Sequence, residues 1–541
     1  MAKKQTKITK EETLETILFN CRNSLRGRAA MTDKRDLLLT LVFLKFIGER
    51  FKQQKDKIRH EIVEVQGIHD EAFVEMQLSR PNQYMQDGVF FLTDETFWDK
   101  LILTAPTGMA IAFDTAIKTL DDNEPKLKNA LPQQIFTKTA LEPGVLKSVV
   151  DEINKIDPKK FTDHDLIGRV YEYFLQAFSI NADKEEGEFY TPHSIVELIA
   201  SLIEPFDGTV YDPCCGSGGM FVQATKFIEA HGGNTKAVNV YGQESEPATY
   251  RLAKMNLAIR GISYHLGDKA VSTFSDDQHK DLKFDYIMAN PPFNLKKYAE
   301  YGEFETDPRW KGYGVPPASN ANYAWIQHMV HHLSPTGRIG LVLANGSLTT
   351  TTGGEGDIRR RLIEADLVEG VIAMPNQLFY NVSIPVCVWF FNRQKKNPGK
   401  VLFIDAREMG MMVDRTHREL SDDLVRYDTV KKEDKLWAKL PAEECDVQRI
   451  AATFRSYEAG TLEDVKGFCK VATLEDIAAQ DFVLTPGRYV GIADAEEDAE
   501  PFEEKMARLT AELGDLFAES HRLEAGIREK LAGIGFKVKE G

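Results

Sequence analysis

The sequence predicts an α/β fold in which helices cover both faces of a central sheet, with an all-α domain before it and a helical tail after it. Helical periodicity dominates residues 1–160, strands alternate with helices over residues 161–415, and an apolar heptad pattern lies within residues 416–541. A chain of 541 residues is too long for one ordinary domain. We therefore expect three regions with these boundaries.

The N-terminal region has the apolar spacing of helices. Within residues 37–51, for example, Leu38, Leu41, Leu44 and Ile47 recur every three or four positions. Few turn signals interrupt this part of the chain. We expect a helical domain over residues 1–160.

Alternating elements follow from about residue 161, and this pattern is typical of a parallel sheet with helices on both faces. Predicted helices cover residues 163–179, 220–231, 247–260, 323–333 and 358–365. A charged loop, 181–188, precedes the first strand. Predicted strands cover residues 209–212, 237–243, 284–290, 337–344, 368–374 and 386–391.

The composition narrows the class of protein. There are 67 Lys and Arg against 83 Asp and Glu, a net charge of −16, so a DNA-facing surface is either a local basic patch or supplied by a partner. Six cysteines without a C-x-x-C pair argue against a zinc site and a disulfide framework, and we expect no metal. The polar N-terminus and the lack of a long uncharged stretch predict a cytoplasmic protein without a membrane segment.

A glycine-rich turn joins the first predicted strand to a helix, in the sequence Asp212-Pro213-Cys214-Cys215-Gly216-Ser217-Gly218-Gly219. Glycines allow a sharp turn and the close approach of a ligand at the strand ends. Such a turn alone also fits a dinucleotide, a phosphate or simple packing. Asp212 favours S-adenosylmethionine, because a carboxylate attracts an amino group and a sulfonium but repels pyrophosphate. Small, packable side chains explain Cys214 and Cys215 better than a reactive thiolate.

Two more carboxylates follow the next predicted strands. Glu244 ends the second strand and either accepts both ribose hydroxyls of the cofactor or is a solvated strand end. Asp268 follows the next apolar stretch and either accepts a hydrogen bond from the cofactor's adenine amine or is an ordinary turn aspartate. Together with the glycine turn, they favour a Rossmann-like sheet of the S-adenosylmethionine-dependent methyltransferase type.

Asn290-Pro291-Pro292-Phe293 ends the third predicted strand, roughly 70 residues after the glycine turn. Two prolines cannot continue a strand ladder, so the chain leaves the sheet here. The Asn290 side-chain oxygen and the Pro291 carbonyl can accept both N–H bonds of adenine's amino group, which frees the nitrogen lone pair, and Phe293 can stack on the base. Catalysis is then mostly positioning and electrostatics, on an adenine flipped out of double-stranded DNA.

These motifs resemble those of the modification subunits of type I restriction–modification systems, which are N6-adenine DNA methyltransferases. The resemblance covers nearly the whole chain. It implies that Glu188, Phe189, Tyr190, Thr191, Pro192 and His193 contact the cofactor, as do Ser217 to Gly219 and Glu244. It rests, in order and spacing, on Gly187-Glu188-Phe189-Tyr190-Thr191-Pro192, the glycine turn, NPPF and Leu378-Phe379-Tyr380-Asn381-Val382-Ser383-Ile384-Pro385.

The resemblance also implies a complex in which two modification subunits join one specificity subunit, to which a restriction subunit can be added. An acidic run, 494–500, is predicted to be an exposed linker before a heptad seam. A helix that packs on its own domain explains the seam, and so does a coiled-coil arm for a partner; the resemblance favours the partner. The seam consists of Phe502, Met506, Leu509, Leu513, Leu516, Leu523 and Ile527.

Several alternatives stay open at the level of sequence. Residues Phe379 to Pro385 either line the base pocket or form a turn into the next strand. The basic residues after NPPF either hold DNA phosphates or lie in a solvated loop; they are Lys296, Lys297, Arg309 and Lys311. A methyltransferase acting on protein glutamine, on RNA or on cytosine N4, and a noncatalytic DNA-binding scaffold, are the competing functions.

Overall fold

The computed structural model describes residues 13–85, 88–156, 170, 173–174, 191–300, 304–379, 384–412, 415, 417–421, 445–492 and 502–533. The predicted helix over 163–179 lies outside the described residues except at positions 170, 173 and 174. The charged loop over 181–188 and the acidic run over 494–500 lie outside them entirely. The chain divides into two compact units, Met1–Gly491 and Ile492–Gly541.

The N-terminal region is helical, as predicted. The long helix α2 contributes an almost continuous buried run, Leu37–Ile47, because it is surrounded by other helices of the region. Side chains cap two of the helices, since Thr13 accepts a hydrogen bond from Thr16 N and Asp70 accepts one from Ala72 N. The helices are α1 Leu14–Ser24, α2 Met31–His60, α3 Glu71–Leu78, α4 Asn82–Met85, α5 Trp98–Leu101, α6 Pro106–Asn123, α7 Ile135–Thr139 and α8 Pro143–Asn154.

The second part of this unit is built on a sheet of nine strands among the described residues, in the order β11-β8-β6-β7-β5-β4-β1-β2-β3. A separate two-stranded ribbon pairs β9 with β10. The strands are β1 Gly208–Asp212, β2 Val238–Gly242, β3 Tyr264–His265, β4 Phe284–Ala289, β5 Leu333–Ala344, β6 Val368–Ala373, β7 Val386–Asn392, β8 Lys400–Asp405, β9 Met411–Met412, β10 Arg418–Glu419 and β11 Cys469–Thr473.

The sheet is mixed: most of its neighbouring strands are parallel, as the alternation of strands and helices predicts, and two of its strands are antiparallel to their neighbours. The strands β5, β4, β1, β2 and β3 are parallel neighbours, as are β6 and β8. However, β7 runs antiparallel to both β5 and β6; it follows β6 after the short connection 374–385, and antiparallel neighbours need no long crossover. At the edge of the sheet, β11 is antiparallel to β8.

Helices cover both faces of the sheet, because successive side chains of each strand point to opposite sides. Val210 packs with α9, α10 and α14 on one face, whereas Tyr211 packs with α12 and α13 on the other. Helix α11 contributes to the core of the sheet and also to the core of the N-terminal helices. The helices are α9 His193–Ile203, α10 Gly219–Ala230, α11 Pro247–Ile259, α12 Asn322–His332, α13 Glu355–Glu364, α14 Asp446–Glu458, α15 Leu474–Ala479 and α16 Gly487–Val490.

The sheet takes in residues beyond position 415, where the sequence pattern weakens. Strand β11 pairs with β8, and Tyr489 of α16 stacks on Phe403 of β8 with ring centroids 3.8 Å apart. The second unit contains the helical tail α17, Phe502–Gly533. Within the described residues, every helix is too short or too polar to cross a bilayer.

Close packing of α9 on the sheet yields a test of the fold. A Cβ added at Gly340 of β5 would lie 2.4 Å from Cγ2 of Ile199 in α9. We therefore expect Gly340→Ala to destabilise the protein by about 1–3 kcal/mol through overpacking, measured by calorimetric unfolding. The matched control is Gly144→Ala in α8, where an added Cβ meets nothing within 4 Å and alanine favours the helix. Equal melting temperatures for the two variants would contradict this packing.

Candidate active site

Four neighbouring parallel strands bring the predicted site residues to one edge of the sheet. In the order β4, β1, β2 and β3, the strands end one residue before Asn290, at Asp212, two residues before Glu244 and three residues before Asp268. The strand register aligns Tyr211 with both Ile287 and Tyr241, so Asn290 and Glu244 each follow this level by three residues, on the two strands that flank β1. Adjacent strands lie about 4.8 Å apart, which makes this edge one continuous site.

Asp268 is the least enclosed of the four residues. Its side chain is exposed, and its backbone N–H donates to Gln278 Oε1 at 2.7 Å. The preceding Gly267 carbonyl accepts a hydrogen bond from the Tyr250 hydroxyl at 2.8 Å. The loop is therefore held in place, while its carboxylate points to open space at the end of β3.

The glycine turn between β1 and α10 is fixed by its neighbours. Gly216 and Gly218 have φ values of +54° and +80°, in the left-handed region that glycine adopts without strain. Gly216 N donates to Glu244 Oε2 at 3.0 Å, and Asn256 Nδ2 of α11 donates to the Ser217 carbonyl at 2.8 Å. These hydrogen bonds hold the turn in place, and a Cβ added at Gly216 or Gly219 would meet nothing within 4 Å, so the turn leaves room for a ligand.

Asp212 is a buried carboxylate, with 1% of its surface exposed. Burial raises its pKa from 3.8 to about 7; the hydrogen bonds from Cys214 lower it, and the charge of Glu244 raises it further. Burial also raises the pKa values of Cys214 and Cys215 well above their ordinary value, which supports the interpretation of both as packed thiols. A cationic ligand would compensate the Asp212 charge.

Glu244 joins the end of β2 to the glycine turn. Its Oε1 accepts hydrogen bonds from Ser245 N at 2.7 Å and Glu246 N at 2.9 Å, while Oε2 accepts the Gly216 bond. Burial raises its pKa, and these backbone hydrogen bonds lower it. The Ser245 hydroxyl also donates to Oε1, at 3.3 Å, so Oε1 is saturated. Oε2 accepts one bond from the described residues and can accept another from a ligand hydroxyl.

Asn290 has one half of its amide paired and the other half without a partner. Its Nδ2 donates to Thr191 Oγ1 at 2.9 Å, whereas its Oδ1 is buried and accepts no hydrogen bond from the described residues. A buried acceptor without a partner costs about 1–3 kcal/mol. A ligand that donates an N–H fits this atom.

Aromatic rings flank the same strand end. Phe293 and Phe379 meet edge to face, with centroids 5.8 Å apart and an interplanar angle of 86°. Of the predicted cofactor segment, Thr191, Pro192 and His193 lead into α9, and Glu188, Phe189 and Tyr190 lie outside the described residues. Residues 380–383 also lie outside them. The structure thus brings Phe379 to the NPPF turn, and both alternatives for the segment Phe379 to Pro385 stay open.

The basic residues that follow NPPF divide into two kinds. Lys296, Lys297 and Lys311 are exposed. Arg309 is buried and donates to the Thr273 and Phe274 carbonyls, both at 2.9 Å. Both alternatives for Arg309, a phosphate contact and a solvated loop residue, are therefore wrong.

The sequence analysis did not identify two buried polar residues whose side chains hold the backbone around the site, Gln243 and Asn256. Gln243 is fully buried, and its Nε2 donates to the Val271 carbonyl at 3.1 Å. Asn256 supports the glycine turn from within an apolar stretch of α11, and a polar residue at such a position is a signal that the sequence does contain. The hydrogen bonds themselves join residues far apart in the chain, so their pairing could not be predicted.

The chemistry of the site fits a nucleoside with a positive charge. Asp212 and Glu244 make the pocket electronegative, which disfavours a pyrophosphate and favours an amino group, a sulfonium and ribose hydroxyls. The open glycine turn leaves space for the ligand beside these carboxylates. At the end of the neighbouring strand β4, the Asn290 oxygen, which has no partner among the described residues, can accept a hydrogen bond from an N–H donor.

Comparison with known proteins gives consistent similarities. A family model described as N-6 DNA Methylase matches residues 162–498, and one described as HsdM N-terminal domain matches residues 14–153. The HindI methylase subunit of a type I restriction enzyme from Haemophilus influenzae is 45% identical over 80% of this chain and 94% of its own. The MjaIX methylase subunit from Methanocaldococcus jannaschii is 36% identical over 96% and 91%, respectively.

A solved structure shows the same fold. It is the methyltransferase subunit of a type I restriction–modification system from Streptococcus thermophilus. The two share 23% sequence identity and a TM-score of 0.69, over 88% of this chain and 98% of the other. The Rossmann-like sheet, the helical N-terminal region and the helical tail of the predicted fold are thus confirmed.

The raised pKa of Asp212 predicts how stability depends on pH. Because the folded state binds the proton more tightly than the unfolded state, unfolding free energy falls by about 1.4 kcal/mol per pH unit from about pH 4 to pH 7 and then levels off. Asp212→Asn should remove this loss, so its melting temperature should exceed that of the wild type at pH 8 and approach it at pH 4.5. Calorimetry at both values checks this. A constant difference between the two proteins would show that the carboxyl is not the cause.

Proposed function

The chain belongs to the N-6 DNA methylase family, as a methylase subunit of the type I restriction–modification kind, and we propose that Asn290, Pro291, Pro292 and Phe293 carry its reaction. It is a site-specific DNA methyltransferase that transfers a methyl group from S-adenosylmethionine to the N6 amino group of adenine. The observation that supports this choice of residues is the Asn290 oxygen, a buried acceptor with no partner among the described residues. It lies one strand away from the turn that suits the cofactor.

The proposed cofactor site consists of residues from all four strand ends. When bound, S-adenosylmethionine supplies an electrophilic methyl group on a sulfonium. Asp212 offsets positive charge, Glu244 accepts hydroxyl hydrogen bonds, and the glycine turn admits the ligand. The proposed set is completed by Glu188, Phe189, Tyr190, Thr191, Pro192, His193, Gly216, Ser217, Gly218, Gly219 and Asp268.

The catalytic role of NPPF follows from the poor nucleophilicity of adenine's amino group, whose lone pair is delocalised into the ring. The Asn290 oxygen and the Pro291 carbonyl accept the two N–H bonds, and this draws the nitrogen toward tetrahedral geometry. No strong base is needed, because the proton leaves after the nitrogen becomes cationic. The adenine is flipped out of the duplex into this site, where Phe293 stacks on it and Phe379 supports Phe293 at 5.8 Å.

Thr191 orients the catalytic amide in this proposal. By accepting the Nδ2 hydrogen of Asn290, it directs Oδ1 toward the substrate. The segment that leads into α9 thereby serves both the cofactor and the base. Intact acceptors at this position also argue against a noncatalytic scaffold.

We further propose that double-stranded DNA is the substrate in a complex with a specificity subunit, two methylase subunits to each. The net charge of −16 fits a chain whose partner makes most of the contacts that recognise the DNA sequence. The complex can take up a restriction subunit and acts in the cytoplasm, where DNA is present and all six free cysteines stay reduced.

The surface proposed to bind the specificity subunit is the seam of α17. The described seam residues are 42–62% exposed, which is unusual for a row of large apolar side chains. Spacing of four and three residues is the pattern by which helices pair in coiled coils. A partner helix of matching pattern would cover them; the residues are Met506, Leu509, Leu513, Leu516, Leu523 and Ile527.

Replacement of Asn290 tests the catalytic assignment. We expect Asn290→Ala to lower the single-turnover rate of methyl transfer by about a hundredfold to a thousandfold, because one preorganised acceptor is lost. Affinity for S-adenosylmethionine, measured by calorimetry, should stay near that of the wild type. Asn234→Ala, at an exposed turn before β2, serves as the control. An active Asn290→Ala enzyme would refute the mechanism.

Charges placed on α17 test the partner surface. The pair Leu509→Asp and Leu516→Asp should abolish co-purification with the specificity subunit, because both charges enter the seam. Ala511→Asp with Ala518→Asp puts the same charges on the opposite face of the helix and should leave assembly intact. Cofactor binding should be equal in both variants. Assembly by the seam variant would rule out this surface.

A further inference from the structure

We infer that Arg309 is a positioning residue for methyl transfer, because it joins the loop that follows NPPF to the residues on both sides of Asp212. The inference rests on the proposed roles of Asn290 and Asp212. Arg309 itself is 7% exposed and acts through other residues rather than on the substrate.

The catalytic loop begins directly after Phe293 and is closed at its base; the structure describes its residues 294–300 and 304–321. Asn294, in the left-handed conformation with φ of +54°, accepts hydrogen bonds at Oδ1 from Asn320 Nδ2 and Asn322 Nδ2, at 3.1 and 3.0 Å. Ala321 N donates to the Leu295 carbonyl at 3.0 Å. The two ends of the loop are thus hydrogen-bonded to each other next to the proposed catalytic residues, so a displacement of the loop would displace the NPPF turn.

Arg309 anchors this loop in the interior. Its Nε donates to Asp307 Oδ1 at 2.9 Å, and its Nη2 also bonds Asp307. The remaining donors reach the Thr273 carbonyl at 2.9 Å, the Phe274 carbonyl at 2.9 Å and His328 Nδ1 at 3.2 Å. All five N–H groups of the guanidinium are accounted for, which fixes its position.

Two short routes lead from Arg309 to the cofactor turn. Thr273, whose carbonyl Arg309 holds, donates its hydroxyl to the Pro213 carbonyl at 2.6 Å. His328, which Arg309 also holds, lies 3.0 Å from the Tyr211 hydroxyl through Nε2. Tyr211 and Pro213 are the residues immediately before and after Asp212, so both routes end beside the proposed cofactor carboxylate.

The protonation of His328 agrees with this arrangement. Arginine can only donate, so Nδ1 accepts its hydrogen bond and the imidazole proton resides on Nε2, from which it is donated to the Tyr211 oxygen. Burial lowers the pKa of His328 well below its ordinary value, and the charges of His332 and Arg309 lower it further. The histidine is therefore a neutral connector with one defined tautomer.

A metal ion does not explain this cluster. Potential ligand atoms of Asp277, His328 and His332 lie within 4.8 Å of one another. However, His332 bonds Asp277 Oδ2 at 2.8 Å and the Leu282 carbonyl at 2.9 Å, so both of its nitrogens are used. Both nitrogens of His328 are used as well, and the Arg309 cation would repel a second cation. The cluster is a hydrogen-bonded support for α12 and the site.

Lysine cannot replace Arg309 in this role. A single ammonium lacks the planar fork that reaches two carbonyls, an imidazole and a carboxylate together. Arg309→Lys should therefore let the catalytic loop shift relative to the cofactor turn. A misplacement of about 1 Å costs about a hundredfold in rate, whereas the cofactor turn keeps its own bonds to Glu244 and Asn256.

The test measures rate and cofactor affinity separately, on the full chain assembled with its specificity subunit. Transfer of tritiated methyl groups to unmethylated genomic DNA should be slowed about tenfold to a hundredfold in Arg309→Lys at saturating cofactor, with the calorimetric Kd for S-adenosylmethionine unchanged. Arg361→Lys is the matched control, since Arg361 also donates to a carbonyl of the loop, that of Tyr313 at 3.0 Å, but from an exposed position. Its rate should equal that of the wild type.

Thr273→Val is the second variant and removes only the hydroxyl that reaches Pro213. It should slow transfer in the same direction, and the double variant with Arg309→Lys should be faster than the product of the two single effects predicts, because Thr273 lies on one of the two routes through which Arg309 acts. If Arg309→Lys does not fold, Thr273→Val alone decides. A wild-type rate for a folded Arg309→Lys, or for Thr273→Val, overturns the inference. An active Asn290→Ala enzyme would instead refute the proposed function beneath it.

Discussion

The proposed active site depends on the side-chain amide of Asn290, in which the nitrogen has a hydrogen-bond partner and the oxygen has none among the described residues. Asn290 is fixed by its bond to Thr191 and by the end of β4, yet its buried oxygen has no partner among the described residues. A protein keeps such an acceptor only if the surrounding structure maintains it, because the unpaired atom is unfavourable in the absence of a ligand. The end of β4 and the segment that leads into α9 hold this buried amide in place.

The electrostatics of the neighbouring strand end follow the same principle. Asp212 and Glu244 are both carboxylates whose pKa is raised mainly by burial, and the charge of Glu244 raises the pKa of Asp212 further. Two such groups destabilise the empty protein at neutral pH and are stabilised by a cationic ligand. A bound cation offsets the unfavourable burial of these two carboxylates, and the free energy that is recovered adds to the affinity for the ligand.

Much of this could be predicted from the sequence, because local patterns determine local structure. The alternation of strands and helices placed β1, β2 and β4, and the residues that follow them, at one edge of the sheet. The antiparallel course of β7 could not be predicted, since its apolar sequence suits either direction in a buried sheet. The burial of Arg309 could not be predicted for a related reason. A basic residue in a loop is usually solvated, and the burial of this one depends on contacts with Thr273, Phe274 and His328, which are distant in sequence.

The role of the N-terminal helices follows from the position of α11. Arg50 of α2 donates to the Ile259 carbonyl at 2.7 Å, and Lys254 donates to the Lys128 carbonyl at 3.0 Å, so α11 is bonded to the helical domain along one side. Its other side supports the glycine turn, with Asn256 bonded to Ser217 and Leu257 packed beneath Gly218. A helix held on both sides cannot move without disturbing both neighbours. The helical domain therefore supports the proposed cofactor site mechanically, although it supplies none of the proposed ligand contacts.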